Sequence, residues 1–349
     1  MSNCVQKSTL PHQSRLRFPS KSFPLSVYNM SVLEQLKKHS TVVADTGEFN
    51  LLKKYLPDDA TTNPSLILAA AKNDDYKPLI TQAIAYAKSK AAGKSKAEIR
   101  ELAVDKLFVL FGKGILSIIP GRVSTEIDAR LSYSKEGSVA KGVRILKLYE
   151  EEGIDKKRVL VKLASTWEGI QAARELETKY GIHTNLTLLF GFHQAVACAQ
   201  ANVTLISPFV GRVMDWYQKR TGVNYTRDDD PGVLSVKRIY NYYKKFGYKT
   251  EIMAASFRGS EEIKGLVGVD LLTIRPRLLD ELAAETETIT PKLTLEAAKA
   301  SDAEEVEVTE EVYRFQLNQD AMATEKLAEG IRRFVEAAEE LDQLVDALL

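Results

Sequence analysis

The sequence predicts an α/β fold, a (β/α)₈ barrel of the TIM type with additional helices, one of them a long C-terminal helix. From residue 41 onward, eight short β-branched or apolar runs alternate with longer helical patterns. Strands separated by helices of about ten or more residues pair in parallel through right-handed crossovers, and eight such units suit a closed barrel. An open doubly wound sheet is the alternative, but no predicted strand is followed by GxGxxG.

The eight predicted strands are rich in β-branched and apolar residues. In chain order they span residues 41–46, 60–63, 122–128, 159–165, 183–190, 204–209, 249–256 and 271–276. Ser165 and Glu168 form an S-x-x-E capping box directly after the fourth strand, and Gly181 predicts the end of that helix. Asp230 and Pro231 predict the N-cap and first residue of another helix.

The last part of the chain predicts one long amphipathic helix that packs against the outside of the main domain. Its apolar residues recur at near-helical intervals: Met322, Leu327, Ile331, Phe334, Leu341, Leu344 and Leu348. Just before it, residues 301–311 contain six acids in eleven residues, which predicts a solvated surface loop.

At the other end, residues 1–30 are predicted to be a basic, Ser-rich extension, and residues 31–349 the barrel domain. Residues 1–33 carry four basic residues, seven serines and no acid. Such a leader is typical of an organelle transit peptide or of a disordered extension. We predict a cytoplasmic location, with organelle targeting through residues 1–30 as the alternative.

Composition narrows the function classes. The 349 residues are 44% hydrophobic and 27% charged, as in globular soluble proteins. A formal charge of +1 is too small to attract nucleic acid or an anionic membrane. No stretch of 18 apolar residues occurs that would span a bilayer. The aromatic residues of 242–248 have the spacing of a core-facing helix, which favours core packing over nucleic-acid contacts. With only two cysteines, no disulfide framework is expected. The four histidines lack metal-ligand spacing, so we expect no metal, and we expect no other cofactor.

Polar residues lie near the C-terminal ends of several predicted strands, where barrel enzymes collect their catalytic groups. A barrel interior is otherwise apolar, so these positions indicate a site. They are Asp45, Asn63, Glu126, Asp128, Lys162, Asn185, Thr187, Ser207 and Ser256.

Lys162 is the most informative of these residues. It is embedded in an apolar strand, and alternation directs it inward with Leu160 and Ala164. Burial of an unpaired ammonium group lowers its pKa below the usual value of about 10.4, so a nucleophilic amine becomes accessible for a Schiff base with a ketone. The alternative is a structural lysine paired with Glu126 or Asp45.

The neighbouring polar groups are the proton carriers and hydrogen-bonding groups that such chemistry needs. Glu126 is placed to exchange protons through a water held by Thr187, and Asp45 to take the proton of a substrate hydroxyl. Asn63 and Asn185 are candidates for holding substrate hydroxyls. The alternatives are that the carboxylates are ion-paired and that the asparagines cap backbone groups.

Two arginines follow adjacent strands and suit a bidentate phosphate clamp, namely Arg212 and Arg258. The alternative for each of them is a surface arginine. For Asp128, an ion pair with Arg122 or Arg130 is expected.

Six ordered segments resemble transaldolase, and the similarity extends from about residue 32 to 349. They are residues 42–47, 60–67, 121–126, 162–167, 185–190 and 206–212. The resemblance implies an α/β barrel with a class I, metal-free aldol mechanism in the non-oxidative pentose phosphate pathway. It implies reversible transfer of a dihydroxyacetone unit from sedoheptulose 7-phosphate to glyceraldehyde 3-phosphate, giving erythrose 4-phosphate and fructose 6-phosphate.

The resemblance also implies roles for ten residues. Lys162 would be the Schiff-base nucleophile, Glu126 the acid/base acting through a water on Thr187, and Asp45 the residue that handles the C4 hydroxyl. Asn63, Asn185 and Ser207 would hold the dihydroxyacetone unit. Arg212, Ser256 and Arg258 would bind the phosphate. A homodimer is common in the family.

Three departures from the family pattern stand out. Gly191 and Ala254 replace a serine and a glycine, which is tolerable on volume grounds. The third is larger, because Arg275-Pro276-Arg277 replaces a small residue, Pro and Ala. If Thr273 points inward, Arg275 does too, where it either strengthens phosphate binding or obstructs the site; an outward surface ion pair is the third interpretation.

Three other functions compete with an active transaldolase. An aldolase that releases free dihydroxyacetone needs the same lysine, but the pattern of Glu126 and Thr187 favours transfer. A catalytically impaired binding protein is suggested only by Arg275 and Arg277, and the complete set of site residues argues against it. A metal-dependent aldolase is disfavoured because only His183 lies in a predicted strand.

Overall fold

The chain folds into a closed barrel of eight parallel strands, seen in a computed structural model that describes residues 1–2 and 30–349. Each strand pairs with the next along the chain, and the eighth pairs with the first. The strands are β1 Thr41–Asp45, β2 Asp59–Thr61, β3 Val123–Glu126, β4 Val159–Ala164, β5 Thr184–Leu189, β6 Leu205–Pro208, β7 Glu251–Ala254 and β8 Leu271–Ile274.

The predicted (β/α)₈ barrel and its eight strands are confirmed, with strand ends that differ by at most two residues. The differences fall where the backbone leaves the sheet to start a turn or helix. Asn63, predicted inside the second strand, is instead the N-cap of the following helix. The predicted extension at residues 1–30 lies almost wholly outside the described residues.

Helices follow the strands on the outside of the barrel, and several more follow β8. They are α1 Val32–Leu36, α2 Phe49–Tyr55, α3 Pro64–Ala71, α4 Lys77–Ser89, α5 Lys96–Leu116, α6 Lys135–Glu151, α7 Trp167–Glu175, α8 Phe192–Gln200, α9 Val210–Thr221, α10 Pro231–Lys245, α11 Ser260–Lys264, α12 Pro276–Ala284, α13 Leu295–Lys299, α14 Glu310–Gln319 and α15 Ala321–Asp346.

Two of the three predicted helix ends are confirmed. Asp230 caps α10 by accepting from the backbone of its first turn, and Gly181 takes a left-handed conformation (φ 60°) after the helical segment that continues α7. The capping box at Ser165 is wrong. Thr166 caps α7 by accepting from Gly169, because the Ser165 hydroxyl donates instead to the carbonyl of Thr187 on the next strand.

The barrel interior has an apolar layer below a polar one. The apolar layer consists of Val43, Leu160, Leu205, Met253 and Leu271. Toward the C-terminal ends of the strands the interior becomes polar, and strand register brings those groups to one level. Glu126 is opposite Lys162, Lys162 is opposite Asn185, and Asp45 is opposite Thr61.

Helix α15 is the predicted long C-terminal helix, but only its second half packs against the outside of the barrel domain as predicted. Its second half packs on the outer helices, with Leu341 and Val345 in a cluster that includes residues of α3 and α5. Its first half lies across the C-terminal end of the barrel, where Phe334 packs with Phe209 and other strand-end residues. An apolar rim at the strand ends attracts the helix there. Leu348 lies beyond the end of α15 and is exposed.

Other expectations concern the surface and the core. In residues 1–2 and 30–349, no helix is long and apolar enough to cross a membrane. Tyr242 and Tyr243 are buried in the core, as their helical spacing predicts. Asp128 pairs with Arg130, whereas Arg122 pairs with acids elsewhere, which selects one of the two ion pairs expected for Asp128.

Candidate active site

A cavity opens at the C-terminal end of the barrel and brings together most of the predicted site residues. Seven of the ten line it, while Glu126, Asn185 and Arg258 contact the lining residues Lys162, Ser207 and Ser256, respectively. The lining is formed by Asp45, Thr61, Asn63, Lys162, Thr187, Ser207, Phe209, Arg212, Ala255, Ser256, Thr273, Arg275 and Phe334.

Lys162 lies in β4 and points into the cavity, as alternation with Leu160 predicts. Its side chain is almost fully buried, and its Nζ donates to the carbonyl of Thr62 at 3.0 Å. The same Nζ lies 3.2 Å from Oε2 of Glu126, so the ion pair left open by the sequence is with Glu126 and not with Asp45. Lys162 is therefore paired with Glu126 and also forms part of the cavity lining.

Glu126 is the buried acid of the site. It lies at the end of β3, opposite Lys162, and only 4% of its surface is exposed. Burial raises the pKa of Glu126 to about 7, although the positive charges of Lys162 and Arg212 act in the opposite direction. Near neutral pH this carboxyl group therefore occurs both protonated and ionised, as a general acid/base requires.

Asp45 and Asn63 occupy the side of the cavity formed by the first two strands. Oδ1 of Asp45 accepts from the hydroxyl of Thr61 at 2.9 Å, and that hydroxyl lies 2.6 Å from the hydroxyl of Thr273. Oδ1 of Asn63 accepts from the backbone of Leu66, so its oxygen caps α3. The amide nitrogen of Asn63 remains as the donor that it can offer to a ligand in the cavity.

Ser207 reaches the cavity on β6, and Asn185 supports it from β5. The Ser207 hydroxyl donates to Oδ1 of Asn185 at 2.7 Å, and the Asn185 amide donates to the hydroxyl of Ser124 at 3.0 Å. Asn185 is fully buried and does not itself line the cavity. Its contacts fix the direction of the Ser207 hydroxyl.

Two buried hydroxyls in the cavity have no hydrogen-bond partner within the described residues: those of Thr187 and Ser256. Buried polar groups are rarely left so, because the loss of water costs free energy. Ser256 also takes a left-handed backbone conformation (φ 65°), which is strained for a residue with a side chain. Both hydroxyls are therefore available to a water or a substrate.

The cationic end of the cavity is formed after β6, β7 and β8. Arg212 lies in the first turn of α9 and is stacked on Phe209. Burial, and after it the positive charges of neighbouring arginines, lower the pKa of Arg212 to about 10. Arg258 lies next to it, but its guanidinium is paired with Asp215 at 2.6 Å.

The sequence did not identify every residue of the cavity. Thr61 carries a sequence signal, because alternation places it on the same face as Asn63. Phe209 and Phe334 carry none, since aromatic residues with core-like spacing give no indication that they reach a cavity. Arg275 lines the cavity together with Thr273, so of the two directions left open for Arg275 the structure has the inward one.

A closed barrel with a buried lysine beside a carboxylic acid, and with arginines at one end, is the arrangement of an enzyme that acts on an anionic carbonyl compound. The described residues include no group of three or more His, Cys, Asp or Glu suited to a metal ion. Residues 42–345 match the family model described as "Transaldolase/Fructose-6-phosphate aldolase". The chain belongs to this family.

Curated relatives narrow the activity within the family. A transaldolase of Kluyveromyces lactis is 61% identical over 86% of this chain and 91% of its own length. The transaldolases of Saccharomyces cerevisiae and Rattus norvegicus are 59% and 56% identical, over 86% and 90% of this chain and 90% and 93% of their own lengths. The chain is thus an enzyme with transaldolase activity, a transferase.

Proposed function

We propose that this enzyme reversibly transfers a dihydroxyacetone unit from sedoheptulose 7-phosphate to glyceraldehyde 3-phosphate, giving erythrose 4-phosphate and fructose 6-phosphate, through a Schiff base on Lys162. One observation supports this above all. The lysine Nζ is buried at the base of a polar cavity, 3.2 Å from a carboxyl group whose pKa burial raises to about 7. The sugar-phosphate substrates and the pentose phosphate pathway follow from the family resemblance.

Schiff-base formation needs a base and then an acid. The neutral amine of Lys162 attacks the C2 carbonyl of the ketose, and ionised Glu126 takes the proton released from nitrogen. Glu126 passes that proton to the C2 oxygen, which gives a neutral carbinolamine. Glu126 then takes up a second proton from solvent water and delivers it to the C2 hydroxyl, which leaves as water while the nitrogen lone pair forms the iminium. Thr187 has a buried hydroxyl without a partner among the described residues, and it is placed to hold the water that carries these protons.

Asp45 is assigned to the step that breaks the carbon–carbon bond. It accepts the proton of the C4 hydroxyl while the electrons of the C3–C4 bond move to the iminium, which gives an enamine on Lys162 and a free aldehyde. Attack of the enamine on the acceptor aldehyde reverses the step, with Asp45 returning the proton. The hydrogen bond from Thr61 keeps the carboxylate oriented toward the cavity.

The remaining predicted residues are assigned to binding. Ser207, directed by Asn185, and the Asn63 amide would hold the hydroxyls of the dihydroxyacetone unit. Arg212 and the Ser256 hydroxyl would bind the terminal phosphate. Arg258 would act through its positive charge without contacting the phosphate, because its guanidinium is paired with Asp215.

Borohydride trapping tests the lysine directly. The protein is incubated with fructose 6-phosphate, reduced, digested and mapped by mass spectrometry. We expect a stable three-carbon adduct on the peptide that contains Lys162, and no adduct in Lys162→Met. Lys179→Met, a change at an exposed lysine, is the matched control and should keep the adduct. A parent protein with full activity and an adduct elsewhere, or none at all, would refute the assignment.

The family model also names fructose-6-phosphate aldolase, so release of free dihydroxyacetone is the second candidate function. Assays without an acceptor aldehyde separate the two: transfer predicts at most one turnover, and an aldolase predicts continuous release.

No proposed step uses a metal, so activity should persist in EDTA. A homodimer and a cytoplasmic location, both taken from the sequence predictions, belong to the same proposal and are tested by sedimentation and cell fractionation.

A further inference from the structure

Arg275 occupies the cavity although nothing in the proposed mechanism uses it. It follows β8 directly and is the N-cap residue of α12, and its side chain lines the same cavity as Lys162 and Arg212. The residue is exposed to solvent, so its side chain has room to move at the rim. It differs in this from Arg212, which is fixed on Phe209.

The backbone carbonyl of Arg275 accepts from Leu278 and Leu279, but its guanidinium makes no ion pair or hydrogen bond within residues 1–2 and 30–349. Two residues later, Arg277 is 68% exposed, pairs with Glu281 and donates to the carbonyl of Arg258. The surface ion pair considered for Arg275 is therefore found at Arg277. Arg275 instead presents an uncompensated positive charge at the cavity.

That charge belongs to a cluster with too few acids. Arg333 on α15, Arg258 and Arg275 all act electrostatically on Arg212 and lower its pKa, with Glu329 as the opposing charge. Arg258 is paired with Asp215 and Arg333 with Glu329. Repulsion among the remaining cations is relieved when an anion binds between them, and the ends of the seventh and eighth strands are a common phosphate site in barrels.

We propose that Arg275 is a specificity-determining residue that binds the terminal phosphate of the sugar together with Arg212. It makes this enzyme select phosphorylated aldehydes over unphosphorylated ones more strongly than a small residue at this position would. The inference rests on the proposed function, because it takes the acceptor to be an aldose phosphate. A planar guanidinium suits the role, since two of its N–H groups can bind two phosphate oxygens at once.

The test compares acceptors with and without phosphate at saturating sedoheptulose 7-phosphate, a donor that releases erythrose 4-phosphate with either acceptor. For each variant, kcat/KM for glyceraldehyde 3-phosphate is divided by kcat/KM for D-glyceraldehyde. We expect Arg275→Ala to lower this ratio about tenfold, through loss of a charge-assisted contact at a solvated rim, with little change for D-glyceraldehyde itself. Arg275→Lys should give an intermediate ratio. Arg277→Ala, the matched control two residues away, should leave the ratio within about twofold.

Contrary outcomes separate this proposal from the one on which it depends. Adduct formation on Lys162 is measured first for each variant, and thermal melting verifies folding. An unchanged ratio in a folded Arg275→Ala that still forms the adduct would overturn the role of Arg275 alone. Higher kcat/KM for both acceptors would show that Arg275 obstructs the cavity, which also overturns it. Loss of the adduct in the parent would instead refute the proposed function.

Discussion

A carboxyl group that burial keeps partly protonated gives the site its expected pH dependence. Glu126 has its pKa raised to about 7 in the folded chain, above the ordinary value of 4.5. Between these two pH values the folded state holds a proton that the unfolded state has released, so the contribution of Glu126 to stability falls as pH rises from about 4.5 to about 7. The proposed mechanism uses both forms of this group, which would account for its retention in spite of the cost.

We therefore expect kcat/KM to fall as pH decreases below about 7, because protonated Glu126 cannot accept the proton of the attacking amine. Glu126→Gln should remove this part of the profile and lower kcat on the order of 10² to 10⁴-fold. Steady-state rates across pH 5.5 to 8.5, roughly, measure both effects. Asp128→Asn changes a carboxylate that pairs with Arg130 and should keep the profile of the parent. A profile that persists in Glu126→Gln would assign it to another group.

At the level of single residues, the sequence predicted which side chains meet but not how each one is held. Alternation and strand order were sufficient to bring Asp45, Lys162 and Thr187 to one cavity. The support of Ser207 by Asn185 was not predicted, because it depends on the register between β5 and β6, where the pairing shifts. Register across a bulge is set by tertiary packing, which a single sequence does not show.

Turning to elements, the phosphate end depends on a close approach between the start of α9 and the turn after β7. A Cβ on Gly211 would lie 2.6 Å from the carbonyl oxygen of Ser256 and 2.7 Å from Cγ of Arg258. The turn that carries Ser256 is already strained by its positive φ. Neither backbone can retreat without displacing the groups assigned to the phosphate.

Gly211→Ala should therefore raise KM for fructose 6-phosphate about tenfold and lower stability by roughly 1–3 kcal/mol through overpacking. Gly259 lies in the same region, and no atom of the described part of the chain is within 4 Å of a Cβ added there, so Gly259→Ala is the matched control. We expect it to change KM by less than about twofold and stability by less than about 1 kcal/mol. Kinetics and denaturant unfolding measure the two effects. Equal behaviour of the two variants would contradict the close-approach argument.

The elements themselves were predicted better than their contacts. Periodicity was sufficient for the eight strands and for α15, because hydrophobic spacing is local in the sequence. The position of α15 across the barrel mouth was not predicted, since an apolar stripe fits an outer helix layer and an apolar rim equally well. The contact of Gly330 with Leu188, which joins α15 to β5, leaves no local signal.

For the whole molecule, charge and topology act together. A net charge of +1 supplies no general attraction for anions, so affinity for phosphate has to come from a local excess of arginines. Barrel closure brings the ends of β6, β7 and β8 side by side and concentrates these arginines at one end of the cavity. The family pattern predicted this site, whereas Arg333 joins it from a distant helix.

Helix α1, which follows the domain boundary predicted near residue 30, is firmly attached to the barrel. Ser31 and Glu34 form a capping box, Val32 N donates to the carbonyl of Glu285, and Val32 and Leu36 are fully buried. A chain that starts at Met30 keeps all of these contacts. Removal of α1 as well would expose apolar surface worth on the order of 5 kcal/mol.

We thus expect deletion of residues 1–29 to leave the melting temperature within about 2 °C and kcat unchanged, because all eight strands and the contacts of α1 lie after residue 29. Deletion of residues 1–40 should lower the melting temperature by more than about 10 °C or prevent folding. Calorimetry and steady-state kinetics on the two truncated chains measure this difference. A large loss in the shorter deletion would move the boundary toward the N-terminus, since residues before Met30 would then contribute free energy to the folded domain.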